Sequence, residues 1–525
     1  MGQCKYFEIC GLSDDANPKD GLCILHSTDA QKDKKAFREA FEAHRTNKGD
    51  DFYCFVFPEV IVFQGTTFQK KVNFRWAIFA QGADFIEARF NEGADFKNAT
   101  FSEWADFLAA IFTKGGDFGG ATFSREAIFA EALFSGDAGF GGARFAEEAT
   151  FSGARFIKKA GFRGTTFSQG ADFQHASFSG EVDFSGAKFN KEATFLDVTF
   201  SEGADFKRAK FTGGVDFFGA RFTKGASFWA AEFTGSTNFG RGTFAEGGDF
   251  KEAIFDEGDV IFEESTLKGR TLFISRKEEG QTIQVFSGVD EVNFKSVTID
   301  PPDLLTFIEA DLTKCLFLNT NLQKVNFFAV DWPKIKGRFG VYDEMKLSTD
   351  DKGKIEGREE RREKENKSIF LAQLERLYRE LKKNYEDNRD YERAGHFHYG
   401  EKEMRRENPK TSYGLKLLLI LYKWFSGYGE SWGRPLTCIG LLLGFSTVGY
   451  LFLGILPQGG KPQLIWTNPV DWFHGLYYSL RVMTLLKPND FFLGDWAKVI
   501  HTTQSILGPL FITLLALAIR QKLKR

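Results

Sequence analysis

Ala83 to Gly93, ADFIEARFNEG, carries two phenylalanines five residues apart, and the next follows six residues later at Phe96. From Phe63 to Phe255 phenylalanine returns at alternating gaps of five and six, an eleven-residue period held for eighteen repeats. A small residue stands two before many of these phenylalanines, with a polar or charged one between. An eleven-residue period also suits a right-handed hendecad coiled coil, but that needs apolar gaps of three and four. Gaps of five and six, with Gly, Thr, Asp and Ser throughout, make a poor helix. A short fixed period of this kind predicts a solenoid, in which each unit buries its apolar face only against the next.

The repeat resembles that of pentapeptide-repeat proteins, whose unit is approximately A-(D/N)-L-x-x, with Phe here at the central Leu position. Ala310-Asp311-Leu312, Thr320-Asn321-Leu322, Val325-Asn326-Phe327 and Val330-Asp331-Trp332 match the plain five-residue form. The resemblance implies a right-handed quadrilateral β-helix over residues 56–335, with two eleven-residue repeats per coil and a core of stacked Phe rings alternating with Ala. Some members of that family imitate duplex DNA. Between Phe63 and Phe262 there are 27 acidic and 21 basic residues, a balance of −6. A DNA mimic needs a stronger single-sign field, so no nucleic-acid role is expected, and the whole chain at −3 points the same way. A spacer or docking surface for a cytoplasmic protein or ligand is the favoured reading.

Ahead of the repeats, Cys4, Cys10, Cys23 and His26 form C-x5-C-x12-C-x2-H in residues 1–30. Three thiolates and an imidazole are a closed tetrahedral set for structural zinc, and free thiols in a small polar cap are the alternative. Residues 31–55 are expected to hold a charged helix with Phe37 and Phe41 on one face, covering the open end of the repeats. Six scattered cysteines suit a reducing compartment. The opening MGQCKYFEIC has no basic-then-apolar leader, and Tyr6 stands where myristoylation needs Ser or Thr. The bulk of the chain is expected to stay cytoplasmic.

Beyond the repeats, 336–367 is dense in charge and reads as a solvated linker, and 368–409 as a tetratricopeptide-like helical hairpin turning at Asn388 to Asp390. His396 and His398 read as packing residues of that hairpin. Residues 410–434 contain YGLKLLLILYKWF, an interfacial amphipathic helix, with a third span as the alternative. In 435–525 the uncharged run 436–456 predicts a membrane span, 496–519 a second, and 469–492 a re-entrant loop between them.

Tyr478-Ser479-Leu480-Arg481-Val482-Met483-Thr484-Leu485-Leu486-Lys487-Pro488-Asn489-Asp490 resembles the pore helix and filter of two-span, potassium-channel-like proteins, roughly YFSxxTxTTVGYGD. Tyr478, Ser479, Thr484 and Asp490 fall in register, while Lys487, Pro488 and Asn489 replace the Gly-Tyr-Gly. Pro fixes φ and Lys adds positive charge, so potassium selectivity is not expected. The resemblance implies a homotetramer with Thr484 to Asp490 around the axis. Arg481 is a charge at membrane depth. His501 and Ser505 are candidates to line the conduit, and Gly508-Pro509 to hinge it. Basic residues precede the first span and follow the second, which places both termini on the cytoplasmic side of the inner cell membrane in a multi-pass protein in contact with lipid. No GxxxxGK[ST], HExxH or GxSxG occurs, so no enzyme is expected. The sequence predicts a channel-like membrane protein with a cytoplasmic repeat rod, or alternatively a membrane-anchored scaffold with a vestigial pore.

Overall fold

A computed structural model describes residues 4–10, 21–29, 31–350, 358–453, 455–457, 467–486 and 491–523. The chain forms two compact units, Met1–Pro333 with Val341–Lys346, and Lys334–Gly340 with Leu347–Arg525.

The first unit is a β-solenoid of about twelve coils. Its strands are mostly two residues long and line up in four parallel sheets of 10, 12, 11 and 12 strands. Each strand pairs with its equivalent two repeats further on, as Phe79 with Phe101, Asp84 with Asp106, Phe90 with Phe112 and Asp95 with Asp117. Two eleven-residue repeats therefore make one coil. Where the plain five-residue form takes over, Phe307 pairs with Phe327, four such units on. The coil length follows the spacing of the text.

Three features of the repeat explain its composition. Phe is buried because each ring stacks on the ring one coil away: Phe151 lies 5.0 Å from Phe129 and 4.8 Å from Phe173, the planes within 4° of parallel. Rings of neighbouring columns meet edge to face, as Phe151 with Phe140 at 5.3 Å. The Asp of each A-D-F folds an Asx turn, its Oδ1 accepting the N–H two residues on, from Ile86 to Asp84 (3.0 Å) and from Leu108 to Asp106 (2.8 Å). Finally, a turn closes from Ala88 N–H to Phe85 C=O (3.0 Å) with Glu87 at φ 55°, a type II geometry. That left-handed position recurs every eleven residues and is often Gly.

The repeat pattern does not foretell one interruption. Arg276–Glu278 and Gln281–Ile283 form an antiparallel ribbon inserted between coils.

Both ends of the solenoid are covered. Helix α1 (Phe7–Cys10) belongs to the N-terminal module, and α2 (Lys34–Lys48) lays Phe37 and Phe41 against Phe57 (5.8 Å) and Phe52 (5.3 Å). At the far end Trp332 packs on Phe327 at 5.3 Å. Asp343, in the first turn of α3 (Tyr342–Asp350), accepts the N–H groups of Phe317 and Leu318, both at 3.0 Å. Burial pushes its carboxyl up to about 6 against those hydrogen bonds.

The second unit is helical. The charged segment expected as a linker instead contains α3 and the first turns of α4 (Arg358–Asp387), because REERREKENK is rich in strong helix formers. Residues 351–357 lie outside those described. Helix α4 and α5 (Tyr391–Glu407) form the hairpin, burying Leu374, Leu377 and Leu381 with Phe397 and Met404. His396 Nδ1 accepts the Phe339 N–H at 3.4 Å, and His398 lies 3.6 Å from Glu401. Then come α6 (Tyr413–Ser426), α7 (Gly433–Leu453), α8 (Pro469–Met483) and α9 (Asp495–Leu523).

Candidate functional sites

Helices α7 and α9, of 21 and 29 residues, are each long and apolar enough to cross a membrane. At the end where α7 stops and α9 starts, Ile455–Pro457 pairs antiparallel with Phe491–Leu493. Ile455 and Leu456, expected at the end of the first span, lie in this ribbon. The ribbon sets the described chain before α8 beside the described chain after it, at one end of the α7–α9 pair.

Helix α8 runs from that end only part-way along its neighbours. Its Gly475 faces Thr447 and Leu451, and Ser479 Oγ reaches Leu443 C=O at 3.5 Å, near the middle of α7. A Cβ on Gly508 would lie 2.5 Å from the Met483 side chain, so the glycine lets the end of α8 abut the middle of α9. From Asp495 to Gly508 is about 20 Å of helix, roughly two thirds of a hydrocarbon core.

Polar side chains hold α8 there. Gln504, fully buried, donates from Nε2 to Ser479 C=O (3.0 Å) and Oγ (2.6 Å), and its Oε1 accepts from the Tyr450 hydroxyl (2.9 Å). The Tyr478 hydroxyl lies 3.0 Å from His501 Nδ1. One side chain of α9 thus ties both α7 and α8. An unsatisfied amide in hydrocarbon is costly, which makes such a network specific as well as stabilising.

Of the residues singled out in the sequence, Thr484, Leu485 and Leu486 form the cap of α8. Leu485 N–H donates to Val482 C=O (3.1 Å) and Leu486 N–H to Arg481 C=O (2.8 Å), with Leu485 at φ 59°. This is a Schellman arrangement with Leu where Gly is usual. The Thr484 hydroxyl turns back to Leu480 C=O (2.9 Å). Lys487, Pro488, Asn489 and Asp490 lie outside the described residues. The Arg481 guanidinium sits over the Tyr477 ring at 5.6 Å. His501 faces Tyr478, and the Ser505 hydroxyl donates to Thr502 C=O (2.8 Å) on its own helix. Pro509 sits inside a single continuous α9.

A second polar node precedes the spans. Glu403 of α5, 6% exposed, accepts from Lys423 of α6 (2.7 Å), from the Tyr428 hydroxyl in the α6–α7 turn (2.5 Å) and from Arg406 (3.1 Å). Burial works to raise its pKa, but the bonds from Arg406, Lys423 and Tyr428 outweigh it and hold the carboxyl at about 2. On α6, Tyr413, Leu418, Leu421 and Trp424 remain exposed.

In the N-terminal module Cys4, Cys10, Cys23 and His26 are all buried, with their ligand atoms within 4.8 Å of one another. Cys23 Sγ is 3.1 Å and Cys4 Sγ 3.7 Å from His26 Nδ1. A zinc tetrahedron with about 2.3 Å to sulfur and 2.0 Å to nitrogen has edges of roughly 3.5–3.8 Å, so the spacing fits a metal. His26 Nε2 lies 3.1 Å from Tyr53 C=O, which can only accept, so Nε2 carries the proton and Nδ1 presents its lone pair to the thiols. Burial lowers the imidazole pKa to about 4, keeping it neutral as a ligand must be.

Residues 55–97, 77–122, 118–166, 157–199 and 184–232 match the family described as pentapeptide repeats (9 copies). The rod is a pentapeptide-repeat solenoid. Searches of the curated proteins and of the solved structures found no match to the chain.

Sequence reasoning missed Gln504, Glu403 and the ribbon at Ile455. Gln504 did leave a signal, an amide just ahead of the apolar run Ile506 to Ile519. Glu403 left none, since its partners come from three separate elements.

Proposed function

We propose that the chain is a channel-like membrane protein that assembles as a homotetramer in the inner cell membrane, with both termini and the pentapeptide rod in the cytoplasm. The observation that carries this reading is α8, a half-length helix that enters between two span-length helices, stops near their middle and is locked there by Gln504. A re-entrant helix needs its backbone buried in protein, and α7 and α9 supply that burial. Its carboxyl end would point the negative end of the helix dipole into the membrane. Four copies would bring Lys487 together at one level, favouring anions unless Asp490 and Asp495 offset it. Helix α6 would lie in the headgroup region with its exposed Leu and Trp in lipid, and the Glu403 node would carry movement of the α4–α5 hairpin to α6 and α7. Zinc is the proposed occupant of the Cys4, Cys10, Cys23 and His26 cluster.

A second reading, a membrane-anchored scaffold with a closed pore, draws on the cap at Thr484 to Leu486. A wound turn with its hydroxyl bonded to its own helix is poorly suited to lining a conduit with carbonyls. Planar-bilayer recording of the purified tetramer in a KCl gradient, then in potassium gluconate, separates the two. Chloride-directed currents that change in Lys487→Ala support a lysine-ringed channel, and cation-directed currents mean that the carboxylates dominate. Silence in a verified tetramer supports the scaffold.

A further inference from the structure

The first coil of a β-solenoid has a problem that the others lack: one of its edges has no coil before it. In later coils the residue equivalent to Val56 gives its N–H backward, as Ile78 does to Phe55 C=O (2.7 Å) and Thr100 to Ala77 C=O (2.8 Å). Phe52 and Cys54 send their N–H groups forward to Asn73 and Arg75. The alternate residues Asp51, Tyr53 and Val56 therefore face the open end. Left bare, such groups cost free energy and offer an edge to any extended chain.

Each of those carbonyls is taken by a side chain of the N-terminal module. His44 Nε2 reaches Asp51 C=O (2.7 Å), His26 Nε2 reaches Tyr53 C=O (3.1 Å) and the Lys32 ammonium reaches Val56 C=O (2.5 Å). The Val56 N–H goes to Leu25 C=O (2.8 Å). Two of these four contacts come from the knuckle Cys23 to Ser27, where His26 and Ser27 donate to Cys23 C=O (3.0 and 2.8 Å). Lys32, nine-tenths buried, also binds the Ile24 and Ser27 carbonyls (2.9 and 3.1 Å), so a third contact hangs on the same knuckle. Leu25 sits between Cys23 and His26. A metal on His26 Nδ1 keeps the proton on Nε2, the atom that caps Tyr53.

We propose that a metal ion held by Cys4, Cys10, Cys23 and His26 is what closes the first coil: it fixes the knuckle whose Leu25 carbonyl, His26 Nε2 and bound Lys32 satisfy the open edge at Tyr53 and Val56. The inference rests on the metal reading above and assigns that metal a task, sealing the rod against strand addition.

Hydrogen exchange of the full chain in detergent, metal-loaded and after chelation, tests it. Exchange at 51–57 should accelerate by about tenfold or more on metal removal, while a mid-rod stretch such as 134–145 stays unchanged, as expected of a local opening. Co²⁺ titration, read by its thiolate-to-metal absorption, checks the metal independently. If no such band develops, the metal reading fails. If the band develops but 51–57 exchanges equally with and without metal, the sealing inference is overturned while the metal reading stands. Lys32→Met keeps all four ligands and should retain the Co²⁺ band, yet the Val56 N–H should exchange faster, because its Leu25 acceptor lies on the knuckle that the ammonium holds through Ile24 and Ser27. Unchanged protection there would remove the ammonium from the seal.

Discussion

In the rod the groups that hold one coil to the next are backbone groups, repeated in every coil and backed by columns of Phe. In the helical unit the equivalent work falls to single side chains, Gln504 between three helices and Glu403 between α5, α6 and the turn after it. The contrast teaches where each half is vulnerable. A rod position is one of many alike, so damage there is energetic and local. A node in the helical unit is unique, so its loss is geometric and changes how elements are placed. The largest expected effect nevertheless lies in the rod: Phe151→Asp puts a charge between Phe129 and Phe173 with no partner, costing about 4 kcal/mol or more. Hydrogen exchange should show the coils around 129–173 opening while the first coils remain protected. Uniform protection would mean that the Phe columns do not hold the coils.

The next test moves to Glu403 and uses pH. Its folded pKa, about 2, lies below the value near 4.5 of an unperturbed Glu, so its contribution to stability is complete above about pH 4.5 and is lost as pH falls toward 2. After allowance for screening this amounts to about 2 kcal/mol. Tryptophan fluorescence, reporting on Trp424 near the node, should show the α5–α6 connection loosening across that window in the wild type. In Glu403→Gln the window should be flat. A wild type without a transition there would show that Lys423 and Tyr428 are held by packing alone.

The same contrast governs how much is legible in the sequence. The Phe period announces a solenoid because one chemical requirement is restated dozens of times, and the shortening of the coil near its far end is already visible as plain A-D-L text at Ala310. The inserted ribbon at Arg276 to Ile283 is stated once and passes unnoticed. Ile455 and Leu456 read as part of the first span because an apolar pair looks alike in helix and strand. The charged stretch before Ser368 reads as linker because charge suggests solvent, although its residues are strong helix formers. At the N-terminal cluster the four donors are legible from spacing. Lys32 and His44 are not, because their partners are carbonyls, which every residue carries.

A smaller effect is expected at Gln504. Gln504→Leu keeps the volume but leaves the Tyr450 hydroxyl and Ser479 Oγ without their amide, and should weaken packing of the helices by about 1 kcal/mol in detergent. The informative readout is position. A spin-label distance between α8 and α9 should broaden in the variant, whereas a mutation of equal cost in the rod would leave it sharp. An unchanged distance would assign the placement of α8 to Gly475 and Gly508 instead.

The smallest prediction has the opposite sign and sets the two halves side by side at one kind of position. Ala109 in the rod and Leu485 at the end of α8 both hold a left-handed backbone, at φ 54° and 59°, without being glycine. An L-residue there costs about 1 kcal/mol relative to Gly, partly offset by the greater freedom glycine brings to the unfolded chain. Ala109→Gly should therefore raise rod stability by about 0.5 kcal/mol, because the turn is held from both sides by neighbouring coils and cannot relax further. Leu485→Gly removes the same strain from a cap that has no coil stacked on either side, so the relief goes into freedom of the cap rather than into stability. Faster exchange at Leu486 N–H without a gain in melting temperature is the expected result. Equal stabilisation of both variants would mean that the end of α8 is held as firmly as a rod turn.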